Sequence, residues 1–136
     1  MELKIDLAYV ADEKYTSTNA SRNEVAIDML KENKQAMSPM ELLLTAVGAC
    51  GAVDLVSMVR KRRKELRDLK AVVTGNRREE HPRSFTDIHV KYLIYSVDLT
   101  EKEAERIVKL AVDDYCSVGA TVAGTAKLTH SFEIIT

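Results

Sequence analysis

The residues in this chain best suited to chemistry are its two cysteines, Cys50 and Cys116. Cys50 sits inside the run Ser38-Pro-Met-Glu-Leu-Leu-Leu-Thr-Ala-Val-Gly-Ala-Cys50-Gly-Ala-Val-Asp54, and Cys116 ends a second helix-like segment, Ala111-Val-Asp-Asp-Tyr-Cys116-Ser-Val. Sulfur chemistry needs a thiolate as nucleophile, and a disulfide cycle needs a second thiol close enough to resolve the first. Two cysteines in one small chain can supply that pair. The competing reading is two small hydrophobes filling core space, the commonest role of free cysteine. Their number alone leaves both readings open.

Composition narrows the setting. A chain of 136 residues has the length of one domain, residues 1–136, with a core of its own. Hydrophobic residues at 46% and charged ones at 30% place it among ordinary soluble globular proteins. With 20 Lys and Arg against 21 Asp and Glu, no global field draws it to nucleic acid or to a membrane surface. Met1-Glu-Leu-Lys-Ile-Asp6 carries charges where a signal peptide would need an apolar core. The expected location is therefore the cytoplasm, where permanent disulfides are rare and a transient, functional one remains open.

The elements that must position the cysteines follow from periodicity. Leu3, Ile5, Leu7 and Tyr9 alternate as in a half-buried strand, and Val25, Ile27 and Met29 repeat the pattern beyond the polar stretch Thr16 to Asn23. They predict an N-terminal antiparallel sheet built as a hairpin or meander, followed by a polar loop from Lys31 to Met37. A helix then starts at Ser38, with Pro39 at the first helical position and Glu41 completing a Ser-x-x-Glu capping box. From Leu42 to Val59 it is apolar nearly all round, which predicts a long buried central helix. Its length is at the low edge for a membrane span and Asp54 falls well inside it, so a span is disfavoured. Such a helix fits the centre of an assembly larger than one small chain. Gly48, Gly51 and Ala52 leave room for a second backbone, which points to a dimer.

The basic run Arg60-Lys-Arg-Arg-Lys64 reads as a solvated helix C-terminus whose cations complement the dipole. Without net positive charge or interleaved aromatics it makes a poor nucleic-acid site. Strands are expected at Leu69 to Thr74 and Ile88 to Val97, around a polar turn from Gly75 to Arg83. Thr100 and Glu103 form a second capping box, opening a helix through Ala104, Ile107, Val108, Ala111 and Tyr115. Leu128, His130, Phe132 and Ile134 alternate in a final strand. Strands and helices are segregated, so the fold class is α+β. His81, His89 and His130 are too scattered for a zinc site, and no phosphate-cradling loop or nucleotide fingerprint is present. No metal and no cofactor is expected.

The segment from Ser38 to Cys50 resembles the signature of the OsmC/Ohr family of osmotically inducible and organic-hydroperoxide-resistance proteins. Asp114-Tyr-Cys116-Ser-Val118 is similar to that family's second cysteine motif, with Ser where Pro is usual. Arg77 to Thr86 resembles its central hairpin and Val118 to Phe132 its closing strand, so the likeness covers nearly the whole chain. The Ser-Pro-Met-Glu and Cys-Ser-Val variants look most like the YhfA-type branch. The resemblance implies an OsmC-like fold of antiparallel sheets around a buried helix, in an intertwined homodimer. It also implies thiol-dependent reduction of organic hydroperoxides. Cys50 would be the peroxidatic nucleophile and Cys116 the resolving thiol, with an external dithiol restoring both. The apolar wall of Leu43, Val47 and Val53 suits an alkyl or lipid hydroperoxide.

Three auxiliary residues belong to the same expectation. The family's peroxidases lower the nucleophile's pKa with an arginine held by a glutamate, and Arg22 lies in about the right early loop. Met40 stands where those enzymes have the post-proline glutamate, leaving Glu41 as the motif's only acid. Glu41 and Cys50 are about 13.5 Å apart in helix rise and on opposite faces, so any link between them would cross a dimer. Asp54, one turn after Cys50, would raise the thiol's pKa unless a cation compensates. A second function class stays beside the enzyme: a non-catalytic protein of this fold binding a small apolar or electrophilic ligand at the dimer cleft.

Overall fold

The structure is a computed structural model that describes residues 1–136. The chain divides into two compact units, Met1–Leu43 and Leu44–Thr136.

The first unit is a three-stranded antiparallel meander of β1 (Ile5–Ala11), β2 (Lys14–Asn19) and β3 (Glu24–Asp28). Register sets Leu7 opposite Ser17 and Ser17 opposite Val25, while Tyr9, Tyr15 and Ile27 form the next row. The polar run beginning at Thr16 is thus partly strand. Its alternating Thr and Ser suit a pleated surface, but a polar central strand carries no hydrophobic period to reveal it. The expectation that β1 is half-buried is corrected: every residue of β1 is exposed. Ile5, Leu7 and Tyr9 are 60%, 61% and 65% accessible, because within one chain nothing covers that face.

The loop after β3 is organised by one buried carboxylate. Asp28 accepts hydrogen bonds from the backbone N–H groups of Leu30, Gln35 and Ala36 and from the Lys34 ammonium. Ser38 then caps α1 (Pro39–Lys61) as predicted. Its N–H and hydroxyl both donate to Glu41 Oε1 at 2.9 Å, and the Glu41 N–H donates back to Ser38 Oγ.

In the second unit, β4 (Asp68–Arg77), β5 (Phe85–Tyr95) and β6 (Lys127–Ile135) form a sheet in that order. β4 and β5 are antiparallel, but β5 and β6 run parallel, with Val90 opposite His130 and Tyr92 opposite Phe132. This corrects the all-antiparallel expectation. The chain between β5 and β6 contains α2 (Glu101–Lys109), a π-helix (Leu110–Tyr115) and α3 (Ser117–Val122), and a crossover of that kind brings a strand back in the same direction. Ile88, Val90, Tyr92 and Ile94 alternate inward along the central strand and are fully buried. The Thr100–Glu103 capping box opens α2.

The expected burial of the long helix belongs to an assembly larger than one chain. Within the chain only a stripe of α1 is covered: Val47, Gly48, Gly51, Leu55 and Val59, spaced at helical turns. Val53, on another face, is 70% exposed. By length and composition α1 could cross a membrane. Its buried stripe instead meets the sheet, where Gly48 lies against Val73 and Gly51 against Tyr92.

Candidate active site

α1 and the segment after the π-helix bring the two cysteines together. Both are free thiols, Cys50 half-buried on α1 and Cys116 buried. The two side chains are within hydrogen-bonding reach of each other. Cys116 ends the helical stretch, as its place in the sequence suggested. The π-helix widens the last turn, Cys116 itself is extended at φ −70° and ψ 106°, and it forms the N-cap of α3. Single-turn π segments inside helices occur often at functional sites.

Cys116 Sγ accepts the Gly119 N–H at 3.1 Å and lies 3.9 Å from the Val47 carbonyl of α1. A methyl group at residue 119 would come within 3.2 Å of that sulfur, so the glycine allows the close cap. Burial pushes the Cys116 thiol up, the Gly119 N–H draws it back, and the hydrogen bond and charge of Cys50 push it up again. The net direction is upward, so Cys116 holds its proton more firmly than a free thiol.

Beneath the pair stands Tyr92, which periodicity marked only as core. Its hydroxyl donates to the Gly48 carbonyl at 2.8 Å. Burial raises its pKa first, and the charges of Cys116, Cys50 and Asp54 raise it further, so these groups share one electrostatic neighbourhood. A Cβ at Gly51 would fall 2.3 Å from the Tyr92 oxygen. Glycine here lets the helix come down onto the tyrosine. The only sequence signal for Tyr92 was a phenol placed in a dense apolar strand, which in a core needs a partner.

The auxiliary residues fall in both units. Asp54 lies on α1 one turn past Cys50, within the field of Tyr92. Glu41 belongs to the first unit and serves the capping box, with its pKa lowered by the Ser38 backbone and hydroxyl hydrogen bonds. Arg22 also belongs to the first unit, in the β2–β3 turn, where its φ is +68° and its N–H donates to the Asn19 carbonyl at 3.0 Å. Of the expected wall, Val47 is buried and Val53 faces outward. His89 bonds Thr129 and Ser131, and His130 meets Asp113 of the π-helix at 3.3 Å. No three His, Cys, Asp or Glu side chains converge as metal ligands.

Residues 31–131 match the sequence profile described as OsmC-like protein. The chain is 36% identical to Protein YhfA of Escherichia coli (strain K12) over 89% of this chain and 90% of that protein. It superposes on the crystal structure of an OsmC-like protein from Mycoplasma pneumoniae with a TM-score of 0.87 at 18% identity, covering 100% and 99% of the two chains. It superposes on the organic hydroperoxide resistance protein OhrB of Bacillus subtilis with a TM-score of 0.64 at 15% identity, covering 96% and 98%. The chain belongs to the OsmC-like protein family.

Proposed function

We propose that this protein reduces organic hydroperoxides by a cycle in which Cys50 is the nucleophile and Cys116 the resolving thiol. The observation that carries the reading is the approach of two free thiols to within hydrogen-bonding reach, with burial holding the proton on Cys116. The Cys50 thiolate attacks the distal peroxide oxygen. A sulfur–oxygen bond forms, the oxygen–oxygen bond breaks, and the leaving alkoxide takes a proton to depart as the alcohol.

Cys50 is then an uncharged sulfenic acid. The negative charge that opposed ionisation of Cys116 is gone, while the N–H groups of Gly119 and Val118 still favour its thiolate. Cys116 attacks the sulfenic sulfur, hydroxide leaves as water after taking a proton, and a disulfide results. An external dithiol reduces that disulfide by exchange and becomes oxidised itself. Electrons thus pass from dithiol to peroxide, giving one alcohol and one water.

The whole chain acts as one domain in this reading, as a homodimer in the cytoplasm, where dithiols are kept reduced. The family match across the boundary of the two units supports the first point. The uncovered apolar residues of β1 and α1 support the second. Arg22 is the cation we assign to the Cys50 thiolate across the dimer, and Glu41 and Asp54 are the acids that would orient it.

The test mixes reduced protein with one equivalent of an alkyl or aromatic hydroperoxide and follows Cys50–Cys116 linkage by peptide mass spectrometry. Rapid stoichiometric disulfide is expected, reversed by dithiol and abolished in Cys50→Ser. Cys116→Ser should instead trap a sulfenic acid that dimedone labels. Thiols left unchanged would overturn the assignment and favour a non-catalytic binder of small apolar or electrophilic ligands.

A further inference from the structure

We propose that a cationic groove whose lining begins one helix turn past Cys50 is an anion-reading subsite, selecting organic substrates whose apolar body ends in an acidic oxygen group. This deepens the peroxidase reading and rests on it for the word substrate. The groove, of about 510 Å³, runs between the C-terminal half of α1 and α2 with its π-helical extension. Leu110 and Tyr115 give it an apolar wall, and Lys61 at the end of α1, Arg62 just past it and Arg106 of α2 bring three cations to it. Arg62 is partly neutralised by Glu103 at 3.7 Å. Lys61 and Arg106 enter no ion pair and no side-chain hydrogen bond within the chain.

A solvated helix end explains Lys61 by itself, through the dipole. It does not explain the convergence of Arg106 from another helix on the same apolar wall. The groove is also polarised along its length. Asp54 lies at the end nearer Cys50, while Lys61 follows it by seven residues, roughly 10 Å of helix rise. Tyr115 precedes Cys116 directly in the chain. An acid-terminated hydroperoxide entering with its acidic group towards Asp54 meets a like charge. Entering the other way, it sets the neutral peroxide beside the thiols and its anion between Lys61 and Arg106. Guanidinium and ammonium hold carboxylate and phosphate alike through charge-assisted hydrogen bonds.

The experiment separates binding from turnover. Full-length Cys50→Ser protein is titrated calorimetrically with a medium-chain hydroxy acid, its methyl ester and the matching alkyl phosphate, none of which can oxidise a thiol. One or both anions should bind at least roughly ten-fold tighter than the ester, the size expected of a charge-assisted contact. The tighter anion names the head group. Adding Arg106→Gln should erase that preference while leaving ester binding in place, Arg106→Lys should restore part of it, and added salt should weaken only the anions. In the wild-type enzyme the same acid and ester as hydroperoxides should differ in KM, with kcat little changed.

Equal binding of acid, phosphate and ester overturns the subsite, as does a preference that survives both Arg106→Gln and Lys61→Gln. Anion-selective binding without any disulfide formation upholds the subsite and removes the peroxidase reading alone.

Discussion

Gly51 and Tyr92 show how tightly the thiols' neighbourhood is built. Exchanging a helical glycine for alanine normally gains about 1 kcal/mol from propensity. At residue 51 the new Cβ would meet the Tyr92 oxygen at 2.3 Å, and overpacking a core costs about 1–3 kcal/mol. Gly51→Ala should therefore destabilise the protein. Tyr92→Phe removes the clashing oxygen at the cost of its 2.8 Å bond to the Gly48 carbonyl, about 1 kcal/mol. In that background Gly51→Ala should become neutral or stabilising. Denaturant midpoints of the four proteins give the coupling directly, and simple additivity would refute it.

At the scale of elements, Asp28 holds the loop between β3 and α1. Burial would raise its carboxyl, but the N–H of Gln35, the Lys34 ammonium and the N–H groups of Ala36 and Leu30 outweigh it and bring the pKa down to about 2. A carboxyl depressed in the folded state stabilises fully above its unfolded value of 3.8, and that contribution is lost as pH falls through 2. Stability should drop over that window. Asp28→Asn should lower stability at neutral pH and flatten the acid limb of the midpoint-versus-pH curve, measured by thermal unfolding.

Local signals made some elements legible and left others dark. Both capping boxes, Ser38 with Glu41 and Thr100 with Glu103, need only residues three apart, and both are present as predicted. β5 announced itself through Ile88, Val90, Tyr92 and Ile94. β2 did not, because Thr16, Ser17 and Thr18 show no hydrophobic period. The parallel alignment of β6 on β5 is set by the length and content of the crossover, not by any residue in β6. Of the site, the chain announced Cys50 and Cys116 by type. The π-helix, the Gly119 cap and the tyrosine beneath depend on packing between distant segments.

For the whole molecule, a face bearing Ile5, Leu7 and Tyr9 and the uncovered side of α1 at Val53 are more apolar surface than a lone small protein usually shows. A second copy of the chain is the occupant we assign. Leu7→Glu puts a charge in the middle of β1 without touching any buried contact of its own chain. Light scattering should show the wild type at twice the chain mass of 15.2 kDa and the variant shifted towards one. A variant still fully dimeric would place the interface elsewhere.

The connection that aligns β6 with β5 also sets a calendar for synthesis. Cys116 and the Val47 carbonyl lying over it are separated by 69 residues of chain. At the usual pace of translation that is on the order of 3 to 14 seconds. Through that interval the newborn helix carries Cys50 without Cys116 beside it and before the sheet is finished. Any oxidant met then can carry Cys50 beyond the reversible rung of sulfenic acid. On the proposed cycle, the nascent chain is thus the form in which a Cys50 sulfenic acid has no second thiol of its own chain to condense with.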